Sequence, residues 1–226
     1  MCRPFATGPH DTLGSMADVK PGPRRRGRPP KESGSDARTA ITDAASAEFA
    51  EKGYDKASIR GIARRAQVDS ALVHHYFESK AGLFAEVVKL PVRPDHIVRS
   101  ALDVPDDRLG ESLVHTVLSA WERSSVKSIG VTVLRSAVSD SAAGRLIRQF
   151  LLRELKGSVM RRIEASGVDS AEADLRASLV LTQMAGALIF RHVLDLEPLA
   201  SMSVDDLTAR LSPAVQGHLD GVSDAK

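Results

Sequence analysis

Residues 58–80 read SIRGIARRAQVDSALVHHYFESK, and two short helices can be recognised in this stretch. Apolar residues recur at the i, i+3, i+4 and i+7 spacing of one helical face: Ile59, Ile62, Ala63 and Ala66. Ser58 precedes the first helix and Asp69 precedes the second, each in the position of an N-cap. Val73 and Phe77 share one face of the second helix. The pattern predicts a helix-turn-helix, whose second helix can enter a DNA major groove.

The opposite face of the second helix carries small and polar side chains. We predict that this face reaches base edges through Ser70, Ala71, His74 and His75. Three residues at helix N-termini or at the edge of the motif are predicted to contact phosphates: Ser58, Tyr76 and Lys80. Asp69, the predicted cap of the second helix, completes the predicted DNA-binding set within the motif.

Residues 38–88, RTAITDAASAEFAEKGYDKASIRGIARRAQVDSALVHHYFESKAGLFAEVV, resemble the DNA-binding domain of the TetR family of bacterial transcriptional regulators. The matching pieces are FAEKGY at 49–54, SIR at 58–60, IA at 62–63, LVHHYF at 72–77, SK at 79–80 and LF at 83–84. Two positions depart from the family pattern, which has Gly where this chain has Gln67 and Tyr where it has His74. If the turn needs positive φ at Gln67, the substitution costs on the order of 1 kcal/mol. The resemblance implies a homodimeric regulator, a repressor, that binds a palindromic operator.

A basic segment precedes the motif. Residues 24–31, RRRGRPPK, hold five basic side chains and no acid, and the tripeptide at 27–29 resembles an AT-hook. We predict that Arg26 and Arg28 follow the DNA minor groove as a flexible arm, while a solvated charge run is the alternative. The composition of residues 1–36 otherwise predicts disorder.

The remaining chain is predicted to be all-α, because 3.6-residue periodicity recurs and alternating runs do not. We predict a helix-turn-helix domain at 37–90 and a helical domain at 91–226, separated by Pro91 and Pro94. Besides the two short helices of the motif, the predicted helices span about 37–52, 80–90, 107–123, 126–138, 141–165, 170–195 and 203–219, with a loop through Pro105 before the helix at 107–123. The first helix is predicted to turn Ile41, Ala45 and Phe49 inward and to end at Gly53, and Ser79 is predicted to cap the helix at 80–90.

The family resemblance implies that helices 170–195 and 203–219 pair with their copies in a second subunit, although burial within one subunit is the alternative. The helices between residues 107 and 195 would then enclose an effector cavity, and the pattern suggests a hydrophobic small molecule. Candidate lining residues are the large soft side chains and two polar ones: Trp121, Phe150, Met160, Met184, Phe190, His115 and Gln183. Each can equally be ordinary core or surface. A DNA-binding dimer without an effector, whose C-terminal domain only dimerises or binds a protein, is the rival hypothesis.

Composition excludes several other classes. The 226 residues contain one Cys, no metal-ligand or nucleophile motif, and no apolar run near the length of a membrane span. The first residues lack the apolar core of a signal peptide. We therefore predict a cytoplasmic protein that is not an enzyme and uses no cofactor or metal.

Overall fold

The computed structural model describes residues 33–221, which form eleven α-helices and contain no strand. In chain order the helices are α1 (Ser33–Lys56), α2 (Ile59–Arg65), α3 (Ser70–Phe77), α4 (Lys80–Val87), α5 (Pro94–Ala101), α6 (Leu109–Trp121), α7 (Ser124–Ala137), α8 (Ala142–Phe150), α9 (Gly157–Glu164), α10 (Ser170–His192) and α11 (Val204–Asp220). A 3₁₀ turn covers Asp106–Arg108, and a π-helical segment, Leu151–Lys156, joins α8 to α9. The predicted all-α fold class is confirmed.

Helices α1 to α4 share one apolar core. Its fully buried members include Ile41, Ala45 and Phe49 on α1, which the sequence periodicity predicted to point inward. The shared face of α3 is also buried, through Val73 and Phe77. One side chain of this core comes from the C-terminal half of the chain, since Phe150 packs in the same cluster.

Three predicted N-caps are present. Each side chain accepts a backbone N–H of the following turn: Ser58 from Gly61 at 3.0 Å, Asp69 from Ala71 at 2.7 Å and Ser79 from Gly82 at 3.1 Å. Because a cap satisfies donors that the helix itself leaves free, these residues fix where α2, α3 and α4 begin.

Helix α1 begins at Ser33, four residues before the predicted start at 37. Residues 33–36, which we assigned to the disordered arm, are therefore helical. Asp36 lies in the first turn, where a negative charge stabilises the helix dipole. Gly53 interrupts the helical backbone with φ of 78°, in agreement with its predicted role as a stop signal.

Helix α5 was missed by the sequence analysis, which predicted a loop through Pro105. Proline ends helices but is also favoured in their first turn, and Pro94 occupies that position here. The Asp95 side chain is buried in the first turn and accepts hydrogen bonds from Arg93 and Arg99, each with its closest contact at 2.9 Å.

Helix α11 packs along α6, and a glycine allows the close approach. A Cβ added at Gly110 would lie 2.7 Å from the carbonyl oxygen of Ser212. The backbone N–H of Gly110 also donates to Gln216 Oε1 at 2.7 Å, so the two helices are joined by a polar contact as well.

The long helix predicted at 141–165 is interrupted. Residues 151–156 form a π-helical turn with α-helix on either side. A π turn widens the backbone ring and rotates the residues that follow it relative to a continuous α-helix. Periodicity over 25 residues is too coarse to reveal such an insertion, because both flanking segments keep their helical spacing.

Helix α10 is long and apolar enough to cross a membrane by length and composition alone, with a mean hydropathy of 1.2 over its best window. The core helix of a soluble protein passes the same test, so one such helix is weak evidence. Its buried side, which includes Ala173, Ala177 and Val180, packs in the C-terminal core.

Candidate functional site

The turn between α2 and α3 places α3 on the surface. Gln67 has φ of 56°, the left-handed conformation that the resemblance assigned to glycine. The N–H of Val68 donates to the carbonyl of Ala63 at 3.0 Å, which closes the end of α2. With Asp69 as its cap, α3 then begins in a fixed orientation.

Helix α3 exposes most of the face predicted to read bases. Ala71, His74 and His75 are exposed, and Ser70 is half-buried at the first helical position. His74 Nδ1 lies 3.2 Å from the carbonyl oxygen of Glu78. His75 lies 5.4 Å from Tyr76, ring centroid to ring centroid. This side of α3 can therefore present imidazole nitrogens and a hydroxyl to hydrogen-bonding partners.

The predicted phosphate contacts lie around the same helix. Ser58 and Asp69 are exposed at helix N-termini, and Tyr76 is half-buried. Lys80 is also half-buried, with its Nζ 4.4 Å from the centroid of the Tyr54 ring and donating to the carbonyl of Asp55 at 3.3 Å. Burial holds the pKa of Lys80 below its ordinary value. Arg26 and Arg28 lie outside the described residues.

Two exposed cations of α2 were not among the predicted DNA-binding residues. Arg60 and Arg64 are exposed, and neither has an ion-pair partner within residues 33–221. Arg65 differs from them, because its guanidinium contacts the carboxylates of Glu51 and Glu48. The basic residues of α2 are visible in the sequence, but periodicity alone does not show which of them form ion pairs.

A partly open cavity of about 230 Å³ lies where the first four helices meet the C-terminal ones. Phe84 of α4 and Val88, the residue after its end, form one side of it. Other walls come from the 90–98 segment, from α6, α7, α8 and α10, from the π segment and from Val159 of α9. Within residues 33–221, all 26 lining residues have predominantly apolar side chains.

The structure divides the predicted effector residues into two groups. Trp121, Phe150 and Met184 line the cavity. The other four do not line it: His115, Met160, Gln183 and Phe190.

These four residues occupy three different environments. His115 is exposed, with Nε2 3.6 Å from Asp205 Oδ1, and Met160 packs at the edge of the C-terminal core. Gln183 and Phe190 line a shallow groove on the outer side of α10. Residues on one helix turn away from a cavity within one or two positions, so composition alone could not separate these four from the lining.

Trp121 is held between two neighbours. Its ring stacks on His192 with centroids 5.3 Å apart and an interplanar angle of 12°. On α7, a Cβ added to Gly130 would lie 2.6 Å from the Trp121 ring. Both ring nitrogens of His192 are buried without a hydrogen-bond partner within residues 33–221, and burial lowers the pKa of the imidazole. His192 is therefore neutral at physiological pH.

Direct contacts connect the cavity to the first four helices. Phe84 stacks on Phe150 at 4.8 Å, and Tyr54 meets both rings edge-on at 5.0 and 5.5 Å. Tyr54 also bonds to the C-terminal half, with its N–H donating to Gln149 Oε1 at 2.8 Å and its hydroxyl donating to Glu154 Oε1 at 2.7 Å. The π segment and α1 are therefore joined directly by the hydrogen bond between Tyr54 and Glu154.

A second connection runs through Arg93. Its Nη2 donates to Ser79 Oγ at 3.0 Å as well as to Asp95. Since Ser79 caps α4, the 90–98 segment and the start of α4 are held together by one guanidinium.

A capped surface helix held at a fixed angle by a tight turn, on a small helical unit, defines a helix-turn-helix DNA-binding protein. The family model described as "Bacterial regulatory proteins, tetR family" matches residues 41–87, and the model "Tetracyclin repressor-like, C-terminal domain" matches residues 107–219. The second match alone covers half of the chain. The chain belongs to the TetR family and is a DNA-binding transcriptional regulator.

Several solved structures are similar to this chain. A TetR-family regulator from Streptomyces coelicolor A3 is 33% identical, and the match covers 86% of this chain and 99% of that one, with a TM-score of 0.45. A putative TetR-family regulator from Mesorhizobium loti is 19% identical, with 84% and 98% covered and a TM-score of 0.48. A SmeT–triclosan complex is 21% identical, with 84% and 93% covered and a TM-score of 0.44. No curated protein matches the chain.

Proposed function

We propose that the protein is a homodimeric repressor that binds a palindromic operator through α3 and leaves it when an apolar molecule occupies the cavity. The observation that supports this proposal is that residues from both halves of the chain line the cavity. Phe84 and Val88 belong to α4, directly after the reading helix, whereas Phe150 and Met184 belong to the C-terminal helices. A molecule in the cavity touches both and can favour one arrangement of them.

The reading surface is tested by a double substitution, Ser70→Ala with His74→Ala. We expect sequence preference to change in a mobility-shift assay on an operator selected from a randomised pool, because each lost base contact is worth roughly 1–3 kcal/mol. His115→Ala is the matched control, since that histidine is exposed on α6, outside the motif. Unchanged affinity and preference in the double variant would contradict the assignment.

The dimer is supported by apolar side chains on the outer side of α10. Leu175, Leu179 and Phe190 are 55%, 40% and 45% exposed. Small residues, Gly186 and Ala187, lie in the groove beside them and leave room for a close helix approach. A twofold dimer would place two copies of α3 one DNA turn apart, about 34–36 Å.

Leu179→Glu tests the dimer. We expect sedimentation equilibrium to show monomers and operator affinity to fall, because a charge in an apolar interface is costly. Leu152→Glu, on an exposed leucine of the π segment, is the control. A dimer that survives Leu179→Glu would place the interface elsewhere.

The rival hypothesis is a DNA-binding dimer without an effector, which predicts a filled C-terminal core. The cavity of about 230 Å³ supports the effector instead. Mass spectrometry of lipophilic compounds that copurify with the protein, followed by their addition to operator complexes, decides between the two. Operator affinity that no hydrophobic compound alters would favour the rival.

The basic arm is proposed to add phosphate contacts. Deleting residues 1–31 should leave the dimer intact and reduce the salt dependence of operator binding. The slope of log affinity against log salt changes by about 0.9 for each phosphate released. The deletion removes seven Lys and Arg residues, so the slope should change by at most about 6.3, of which the five at 24–31 account for about 4.5. An unchanged slope would mean that the arm is a solvated tail.

We further propose that the protein acts in the cytoplasm, where bacterial DNA is found, and that it has no catalytic role. The family match to transcriptional regulators supports both statements.

A further inference from the structure

We propose that the cavity selects an uncharged apolar molecule with about nine or ten carbon atoms, and rejects anionic amphiphiles. This inference rests on the proposed function, because it takes the cavity to be the effector site. It goes further by naming the charge and size of the effector. Three observations carry it: the chemistry of the wall, the state of the nearby charged groups, and the volume.

The wall offers an anion no strong partner. Among the lining residues that the structure describes, none has a hydroxyl, amide, carboxylate, imidazole or amine, and the only polar side-chain atom is the indole nitrogen of Trp121. Most of the wall is helix, whose backbone groups bond within the helix. A carboxylate entering this space would lose its hydration without compensation, which weakens binding by at least ~100-fold.

Two arginines that neighbour lining residues in the chain are already engaged. Arg93 contacts Asp95 and Ser79, and Arg148 donates to the carbonyls of Ala137 and Ser139, both at 2.7 Å. None of these guanidinium groups is free to turn towards a bound anion without giving up hydrogen bonds.

The same holds on the side of the cavity formed by Trp121. Arg191 donates to Glu122 at 2.9 Å and to the carbonyls of Leu199 and Met202. His192, behind Trp121, is held neutral by burial. Neither Arg191 nor His192 is therefore available as a counter-charge for an anionic headgroup.

The volume of the cavity limits the size of the molecule that it can bind. An apolar cavity of about 150 Å³ accommodates benzene, so 230 Å³ scales to roughly nine carbon atoms. Two aromatic surfaces line the space, the Trp121 indole and the stacked pair of Phe84 and Phe150. Because aromatic rings favour offset or edge contacts with other rings, a flat bicyclic molecule suits this wall.

Isothermal titration calorimetry with the full-length protein and two probes, naphthalene and 1-naphthoate, tests the inference without DNA. The probes share a ten-carbon skeleton and differ in one carboxylate. We expect naphthalene to bind once per chain, and 1-naphthoate to bind at least ~100-fold more weakly. Equal affinities would overturn the charge selection. Binding of anthracene, with three fused rings, but not of naphthalene would overturn the size.

Substitutions locate the probe. Ala185→Phe fills the cavity from α10 and should weaken naphthalene binding at least ~10-fold, while Ala143→Phe, on an exposed position of α8, should not. If Ala185→Phe lowers the helical content in circular dichroism, Val117→Phe on α6 fills the same space. Wild-type affinity in a folded filled variant would show that naphthalene binds elsewhere and would overturn the proposal.

A separate mobility-shift assay keeps the two proposals distinguishable. Selective binding of naphthalene without release of the operator would contradict the proposed release mechanism and leave the ligand class standing. Release by 1-naphthoate as strong as release by naphthalene would overturn the ligand class and leave effector control standing.

Discussion

The Tyr54 hydroxyl allows a quantitative test of the contact between the two halves of the chain. Tyr54→Phe removes one oxygen from a fully buried ring and leaves the aromatic packing with Phe84 and Phe150 in place. The hydrogen bond that disappears ends on Glu154, and bonds to charged groups contribute about 1.5–3 kcal/mol. Because Glu154 is only half-buried and can be hydrated again, we expect the lower value, about 1.5 kcal/mol.

Thermal unfolding followed by circular dichroism measures this loss. For a chain of this size, 1 kcal/mol shifts Tm by roughly 2–4 °C, so Tyr54→Phe should lower Tm by about 3–6 °C. Tyr76→Phe is the matched control, because it removes the hydroxyl of the other tyrosine, which has no hydrogen-bond partner within residues 33–221. Its effect should stay within about 0.5 kcal/mol.

Two further measurements can refute the reasoning. A double-mutant cycle with Glu154→Ala should give a coupling energy of about 1 kcal/mol, and a value near zero would mean that the Tyr54 hydroxyl contributes no stability through Glu154.

Burial, reinforced by the bond to Glu154, raises the pKa of Tyr54 well above its ordinary value. The stability that this shift contributes is present below the unfolded pKa of about 10 and is lost as pH rises beyond it. Tyr54→Phe should therefore flatten the alkaline fall in stability, and an unchanged profile would contradict the assignment.

The remaining predictions concern three local features. Burial lowers the pKa of His192. The folded protein should therefore lose stability as pH falls below the unfolded pKa of about 6.5, because the buried imidazole resists protonation. His192→Phe removes this group and should flatten the dependence of Tm on pH between about pH 7.5 and 5.5. Gln67→Gly should stabilise the protein by up to about 1 kcal/mol in urea unfolding, because Gln67 holds a left-handed backbone, and a lower midpoint would contradict this. Gly61→Ala should cost about 1–3 kcal/mol, because its Cβ would overlap the carboxylate of buried Glu48, whereas Gly217→Ala has open space and should be neutral or stabilising.

Local signals in the sequence predicted the DNA-reading part of the fold. The turn caps Ser58, Asp69 and Ser79 each act on a backbone N–H two or three residues away, so their effect can be inferred without tertiary information. Gln67 was identified as a position that departs from glycine, and its positive φ agrees with the conformation expected there. The assignment of bases and phosphates to individual side chains stays a prediction.

The C-terminal half was less predictable because its key features depend on distant contacts. Pro94 fits both a loop and a helix start, and the choice depends on the buried carboxylate of Asp95 and its two arginine partners. The π segment does not change the helical spacing of apolar residues on either side of it, so this spacing does not reveal it. Gln183 and Met184 are neighbours on α10, yet one lies in an outer groove and the other lines the cavity. Consecutive residues of a helix point about 100° apart, so composition alone does not show which of two neighbours faces the cavity.

The positions of the aromatic residues give the protein two natural optical reporters. Trp121 is the only tryptophan, and it lies in the cavity wall of the C-terminal half. Both tyrosines, Tyr54 and Tyr76, lie in the first four helices. Indole emission therefore follows the cavity half, and tyrosine absorbance follows the DNA-reading half, with no attached dye. The two signals measured in one denaturant titration reveal whether both halves unfold as a single cooperative unit or in succession.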